Sequence, residues 1–201
     1  MTTLRRMTED EYAAWVDATV PAYAEDKVAS GQWSAAESLA RSRKEFDELL
    51  PQGLETPENR FFTIVDAQGA PVGTLWIAEQ ARGGARIAYV YDVGIHPERQ
   101  REGHAHRAFV ALEDEARRLG LAGIALHVFG HNTGARALYA KLGFEPTNLH
   151  LFKPLAHAAF EAKKSQRNDD LLGGFVEDRS SARFDVGSVH GLVDASENLE
   201  R

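Results

Sequence analysis

Ala-Tyr-Val-Tyr-Asp-Val-Gly-Ile-His-Pro-Glu-Arg-Gln-Arg-Glu-Gly-His-Ala-His-Arg-Ala, residues 88–108, decides how this chain folds. Tyr89, Val90, Tyr91, Val93 and Ile95 are aromatic or β-branched, the types that suit a pleated strand. Pro97 cannot donate to a ladder and stops that strand. Gly103 permits a tight turn or a close approach to a ligand. From Ala105 onward the apolar residues fall at helical spacing. A strand, loop and helix in this order aim backbone N–H groups and a helix dipole at one point, a setting for an anion such as a pyrophosphate.

The rest of the chain sets bounds on that junction. Its 201 residues suggest one domain with an appendage, and 43% hydrophobic content suffices for a packed core. No run of eighteen apolar residues suggests a membrane span, and no signal-peptide core opens the chain, so a cytoplasmic protein is expected. With no Cys there is no disulfide, acyl-cysteine intermediate or thiolate metal site. The histidines lack ligand spacing, so no metal is expected. A net charge of −7 argues against nucleic acid as a partner and is compatible with a cationic acceptor such as an amine.

Working outward, residues 2–7 suit a first strand. Thr8 and Glu11 form a capping box for a helix whose inner face carries Tyr12, Trp15, Val16, Thr19 and Tyr23. Pro21 predicts a break or kink in it. Ser34 and Glu37 suggest a second capping box, opening a helix to about Leu50 with Leu39, Phe46, Leu49 and Leu50 inside. These helices could roof a substrate cleft, or their aromatics could simply be core. Residues 61–66 and 71–80 read as strands joined by a turn at 67–70. A further turn at 81–85 leads into the strand at 88–95, and such short turns make the three antiparallel. A helix over 104–119 ends at Gly120. Residues 124–128 make a strand parallel to the one at 88–95 through a right-handed crossover. Asn132 caps a helix over 133–142, Gly143 ends it, and 147–153 suit a last strand. Residues 1–155 are expected to form one domain. Residues 156–201 are expected to be a poorly ordered tail, with a helix to about Lys164 and a short strand at 183–189.

Two motifs carry the functional reading. Gln100-Arg101-Glu102-Gly103-His104-Ala105 fits Gln/Arg-x-x-Gly-x-Gly/Ala. About thirty residues later, 132–144 fit Asn-x-x-Ala-x-x-Leu-Tyr-x-x-x-Gly-Phe. Either alone is weak; their order, spacing and placement after strands are specific. Together they resemble the two signatures of the GCN5-related N-acetyltransferase (GNAT) family. The resemblance covers residues 2 to about 153. It implies an α/β (α+β) fold: a mixed, mostly antiparallel sheet flanked by helices, its fourth and fifth strands parallel and splayed around acetyl-CoA.

The resemblance also implies roles. The backbone of Val93 and Ile95 would bond the pantetheine arm. The loop around Gln100, through the N–H groups of Arg101, Gly103, His104 and Ala105, would hold the pyrophosphate. Asn132, with Ala135 in the same signature, would meet the pantetheine arm, and Tyr139 would be general acid to the leaving thiolate. Asp92 is either the base that deprotonates the amine or a structural carboxylate. Tyr91 stands where some polyamine acetyltransferases are acidic, which leaves that acceptor class in doubt. His127 reads as a core residue of a buried strand, and His131 could relay a proton. His104 and His106 are expected at the phosphates or in solvent, and Arg99, Arg101 and Arg107 could neutralise CoA phosphates. The implied activity is direct acetyl transfer to an amine of a small molecule or peptide. A non-catalytic acyl-CoA sensor of the same fold is the alternative. A dinucleotide-binding protein is set aside, because the loop has only Gly103 where such a site needs three glycines. The acceptor and the oligomeric state stay open, a homodimer included.

Overall fold

A computed structural model describes residues 1–29, 31–128, 130, 132–149, 151 and 153. Five strands stand in sequence order, β1 (Thr3–Arg6), β2 (Asn59–Val65), β3 (Pro71–Arg82), β4 (Ala85–Ile95) and β5 (Ile124–Leu126). Neighbours are antiparallel up to β4, and β4 and β5 are parallel. The first two helices, α1 (Glu9–Ala29) and α2 (Ser38–Leu49), precede β2; α3 (His104–Arg118) crosses from β4 to β5, and α4 (Thr133–Lys141) follows.

Strand alternation splits the core into two layers. Phe61 and Trp76 face one side with Trp15, Tyr23 and Phe46 of α1 and α2. Phe62, Leu75 and Ile77 face the other, against Phe109 and Leu112 of α3 and Tyr139 of α4. The aromatics of α1 and α2 are therefore core, although Tyr12, like Trp33 between the two helices, stays only partly buried.

Local chemistry explains the ends of elements. The expected capping box at α1 forms: Glu11 N–H donates to Thr8 Oγ1 at 3.3 Å, and Thr8 N–H to Glu11 Oε2 at 3.0 Å. At the C-terminus of α4, Gly143 N–H donates to the Ala140 carbonyl at 3.2 Å and Phe144 N–H to that of Tyr139 at 3.0 Å. This is the Schellman pattern, and it needs the left-handed φ of +82° that Gly143 adopts. Its usual apolar contact is here aromatic, with the Phe144 ring 5.5 Å from that of Tyr139.

Four expectations are corrected. The first helix runs on through Pro21, so the proline makes no break. A proline removes one helical bond at a cost of about 3 kcal/mol, and the buried residues on both sides of it, Trp15, Val20 and Tyr23, offset that. The second helix begins at Ser38, not at a Ser34 box; Glu37 makes no side-chain cap. Its inner stripe is Ser38, Ser42 and Phe46, which turns Leu39 to solvent. Ser42 is tolerated there because its hydroxyl donates to the Val20 carbonyl at 2.7 Å. The strand at 124–128 stops at Leu126. The strand expected at 147–153 is not seen at the described positions 147–149, 151 and 153, where Leu149 and Leu151 are exposed and no ladder partner is engaged. The readings of 156–201 and of His131 lie outside the described residues.

Candidate active site

The site starts from a count along β4. Trp76 faces Asp92 and Ile77 faces Val90, so β4 holds one extra residue, Tyr91. This bulge changes which backbone groups point where. Before it, Ala88 N–H donates to the Gly123 carbonyl at 2.9 Å and Arg86 accepts from Ala122 at 2.8 Å, so even-numbered residues address β5. After it, His96 N–H donates to the Val72 carbonyl on β3 at 2.9 Å. Antiparallel pairs alternate between bonded and non-bonded. Gly94 and Asp92 therefore also address β3, and Val93 and Ile95 address the other side.

That other side has opened. Pairing of β4 with β5 ends at Val90 and Leu126, while β4 runs on for five residues. The splay expected from the resemblance is thus present, with the edge of Val93 and Ile95 as one wall. Gln100 Nε2 donates to the Ile95 carbonyl at 3.2 Å and ties the following loop to this edge.

The loop carries a strained turn. Arg101 has φ of +64° and Gly103 of +80°. The left-handed region costs a non-glycine residue on the order of 1 kcal/mol, and such strain gathers at functional loops. The first bond inside α3 runs from Arg107 N–H to the Gly103 carbonyl at 3.2 Å. The N–H groups of His104, Ala105 and His106 thus have no acceptor within the helix. Loop and helix end together hold N–H groups without helical acceptors, following the β4 edge in the chain.

Side chains brace this loop from behind. His104 is buried, not at the surface: its Nδ1 lies 2.9 Å from Thr2 Oγ1 and its Nε2 3.1 Å from Glu102 Oε2. Arg107 donates to Thr2 Oγ1 at 2.8 Å and to the Glu102 carbonyl at 2.9 Å. Arg99 pairs with Asp66 at 3.0 Å. Arg99, Arg107 and the His104 ring therefore brace the loop. A Cβ at Gly103 would stand 2.9 Å from the Arg107 guanidinium, which would have to shift, and the φ of +80° strains any other residue there. Arg101 and His106 stay at the surface.

Asn132 and Ala135 sit at the start of α4, where Asn132 Oδ1 accepts from Ala135 N–H at 3.0 Å. That bond leaves the Asn132 amide NH₂ able to donate. Ala135 and Tyr139, four residues apart, are both buried on the inner stripe of α4. The Tyr139 ring lies 5.4 Å from that of Phe109. Burial first, and then the charge of Asp92, push its phenol well above the ordinary 10. Asp92 lies on the α1 side of the sheet, 4% exposed, with Trp15 Nε1 donating to its Oδ2 at 2.9 Å. The splay lets a carboxylate on one face bear on a phenol on the other. A separate concavity of about 360 Å³ opens at the far end of β5, against Ala116, Leu121 and Phe144, and none of the expected site residues line it.

The bulged strand, the opened edge and the loop at a helix start match a sequence family as well. The Acetyltransferase (GNAT) family model matches residues 17–144. The chain belongs to the GNAT acetyltransferase family. This GNAT chain is 35% identical over 152 residues to the uncharacterized N-acetyltransferase YycN of Bacillus subtilis, covering 76% of this chain and 97% of that protein. It is 33% identical over 153 residues to YdgE of the same organism, covering 76% and 98%. With the mycothiol acetyltransferase of Salinispora tropica it shares 32% identity over 143 residues, covering 69% of this chain but 42% of that one. The crystal structure of YycN superposes with a TM-score of 0.72 at 34% identity, over 78% of this chain and all of that one. Among the described residues of the GNAT chain, no helix is long and apolar enough to cross a membrane.

The sequence motifs missed three parts of this site. The bulge at Tyr91 carries no signal of its own, since Tyr89, Val90, Tyr91 and Val93 read as one continuous strand. The bond from Trp15 to Asp92 spans 77 positions. The clasp of Thr2 on His104 spans 102.

Proposed function

We propose that this chain moves an acetyl group from acetyl-CoA directly to an amine of a small molecule or peptide. The observation that carries the proposal is the β4 edge freed by the end of β5, running without interruption into the donor-lined loop at the start of α3. An extended amide-bearing arm fits the edge as an added strand, and a pyrophosphate fits the loop. Val93 and Ile95 supply backbone partners to the arm, and the Asn132 amide adds a donor. Gln100 holds the edge and the loop together. The N–H groups of Arg101, Gly103, His104 and Ala105 take the phosphates, and Ala135 keeps α4 close to the arm.

The chemistry follows from the same geometry. An amine attacks only when neutral, and its ordinary pKa is near ~10.4, so a proton must leave first. The nitrogen then adds to the thioester carbonyl, and a β4 N–H steadies the oxyanion. As the C–S bond breaks, Tyr139 donates to the thiolate and regains a proton from the adduct nitrogen. A phenol held protonated by burial and by Asp92 suits that relay. Asp92 is in this reading a positioning residue: it anchors α1 through Trp15 and keeps Tyr139 protonated.

The test is release of free thiol from acetyl-CoA in the presence of an amine panel. Tyr139→Phe should lower kcat by about 10²-fold or more with acetyl-CoA affinity unchanged. Unchanged turnover would remove Tyr139 as acid. A protein that binds acetyl-CoA tightly yet releases no thiol with any amine would instead be an acyl-CoA binder.

A further inference from the structure

The bulge in β4 puts two consecutive side chains, Tyr91 and Asp92, on the face covered by α1 and α2. Asp92 is buried there, while Tyr91 stays partly exposed. Tyr91 is also the first residue of β4 beyond its last pair with β5, Val90 with Leu126. It therefore stands where the splay begins, two residues before the backbone of Val93.

Three contacts hold the Tyr91 ring. One is the stack on Trp76, with centroids 4.5 Å apart and planes 18° apart. Trp76 is in turn stacked on Phe61, at 5.5 Å and 22°. Tyr89 meets the Tyr91 ring at 5.0 Å and 67°. Gln80 Nε2 donates to the Tyr91 phenol oxygen at 2.9 Å. Phe61 and Trp76 are buried, so the stack is anchored in the core and only its last ring reaches the surface. Trp76 belongs to β3, so the side of Tyr91 turned away from it is the side of β5, where the ladder has ended. A ring fixed in this way loses little rotamer freedom when a ligand packs on it.

Electrostatics narrow what that ligand is. Burial raises both phenols, that of Tyr89 to about 12, so neither is charged near neutral pH. Alternation puts Arg82 on this face with Gln80, and its positive charge bears on Tyr89. A neutral aromatic wall beside a cation suits a flat apolar group and opposes an acceptor of several positive charges. The opposite face of the sheet is packed with Phe109, Tyr139 and Phe144, which leaves the Tyr91 side for the acceptor.

We propose that Tyr91 is a specificity-determining residue that packs against a ring carried by the acceptor, and that the substrate class is a monoamine bearing an aromatic ring. The assignment rests on the acetyl-transfer reading above and adds no step to it. The amine still forms the C–N bond as the C–S bond breaks, and Tyr91 takes no part in that exchange.

The experiment measures thiol release from acetyl-CoA with three probes: 2-phenylethylamine, hexylamine and spermidine. In the unaltered chain, kcat/KM should favour 2-phenylethylamine over each of the others by about 10-fold or more. Tyr91→Leu should erase that preference by raising KM for 2-phenylethylamine about 10-fold, with acetyl-CoA affinity retained. Tyr91→Phe keeps the ring and should keep the preference. The inference alone is overturned if the unaltered chain acetylates hexylamine or spermidine at least as well as 2-phenylethylamine, a result that needs no variant. It is equally overturned if Tyr91→Leu still binds acetyl-CoA and still prefers the ring-bearing amine, which would make the stack purely structural. An unaltered chain that releases no thiol with any amine overturns the acetyl-transfer reading and this inference with it.

Discussion

Glu11 shows how much one side chain settles. It accepts from Arg5 at 2.6 Å, from Thr63 at 2.9 Å and from Thr8 N–H at 3.0 Å, and so joins β1, β2 and the start of α1. Arg5 is the main cause of a pKa lowered from 4.5 to about 2. The sign follows from the direction. A carboxylate depressed in the fold adds stability that is complete above about 4.5 and is lost as pH falls toward 2. Because Glu11 is partly solvated, that contribution is on the order of 1 kcal/mol after screening. Glu11→Gln should therefore be less stable than the unaltered chain by about that much at neutral pH. The gap should close by pH 2, as read by urea unfolding at each pH. An equal gap at both ends would put its role in packing. Thr8 and Glu11 were legible as a box because capping is local. Arg5 and Thr63 were not, because their partnership exists only once β1 and β2 pair.

Among elements, α4 is the one whose ends matter most to the site. Asn132 caps its start and Gly143 its finish, and between them Tyr139 is held by Phe109 and Phe144. Gly143→Ala forces a Cβ into the left-handed region, a loss of about 1 kcal/mol. We expect that loss in Tm, with a drop in kcat larger than any change in acetyl-CoA affinity, since Phe144 would no longer seat Tyr139. A Tm loss with kcat intact would make the cap purely structural. The signature was readable here because each fixed residue has a local mechanical reason. The bulge in β4 was not readable, because Tyr91 looks like any other strand residue. Its ring stacks on that of Trp76 with centroids 4.5 Å apart, and that pairing is tertiary. The false start at Ser34 has the same origin. A capping pattern proposes a helix, but the buried stripe of Ser38, Ser42 and Phe46 decides where it begins.

At the scale of the molecule, the two-layer core supports a sheet that is deliberately incomplete between β4 and β5. A ligand that fills the gap adds its binding energy to the fold. At a hundred times its Kd, acetyl-CoA should stabilise the chain by about 2.7 kcal/mol, or roughly 5–10 °C in a thermal shift. Gly103→Val, whose side chain meets Arg107, should abolish most of that shift. A full shift in this variant would place the phosphates elsewhere. Most elements followed from sequence because hydrophobic period and turn residues mark them locally, whereas the layering followed only from the resemblance to the family. The antiparallel run of β2, β3 and β4 followed as well, since each turn between them is short; the place of β1 beside β2 did not.

Thr2 has a consequence for the order in which the chain assembles. It is buried, and it meets His104 and Arg107 across more than a hundred positions. During synthesis the first residues leave the ribosome long before α3 exists. The loop before α3 can reach its final shape only after Thr2 has come back to it. The hairpins from β2 to β4 have no such wait, because their partners are near neighbours. The loop is thus a late-maturing part of the molecule, and Thr2 acts as its closing stitch.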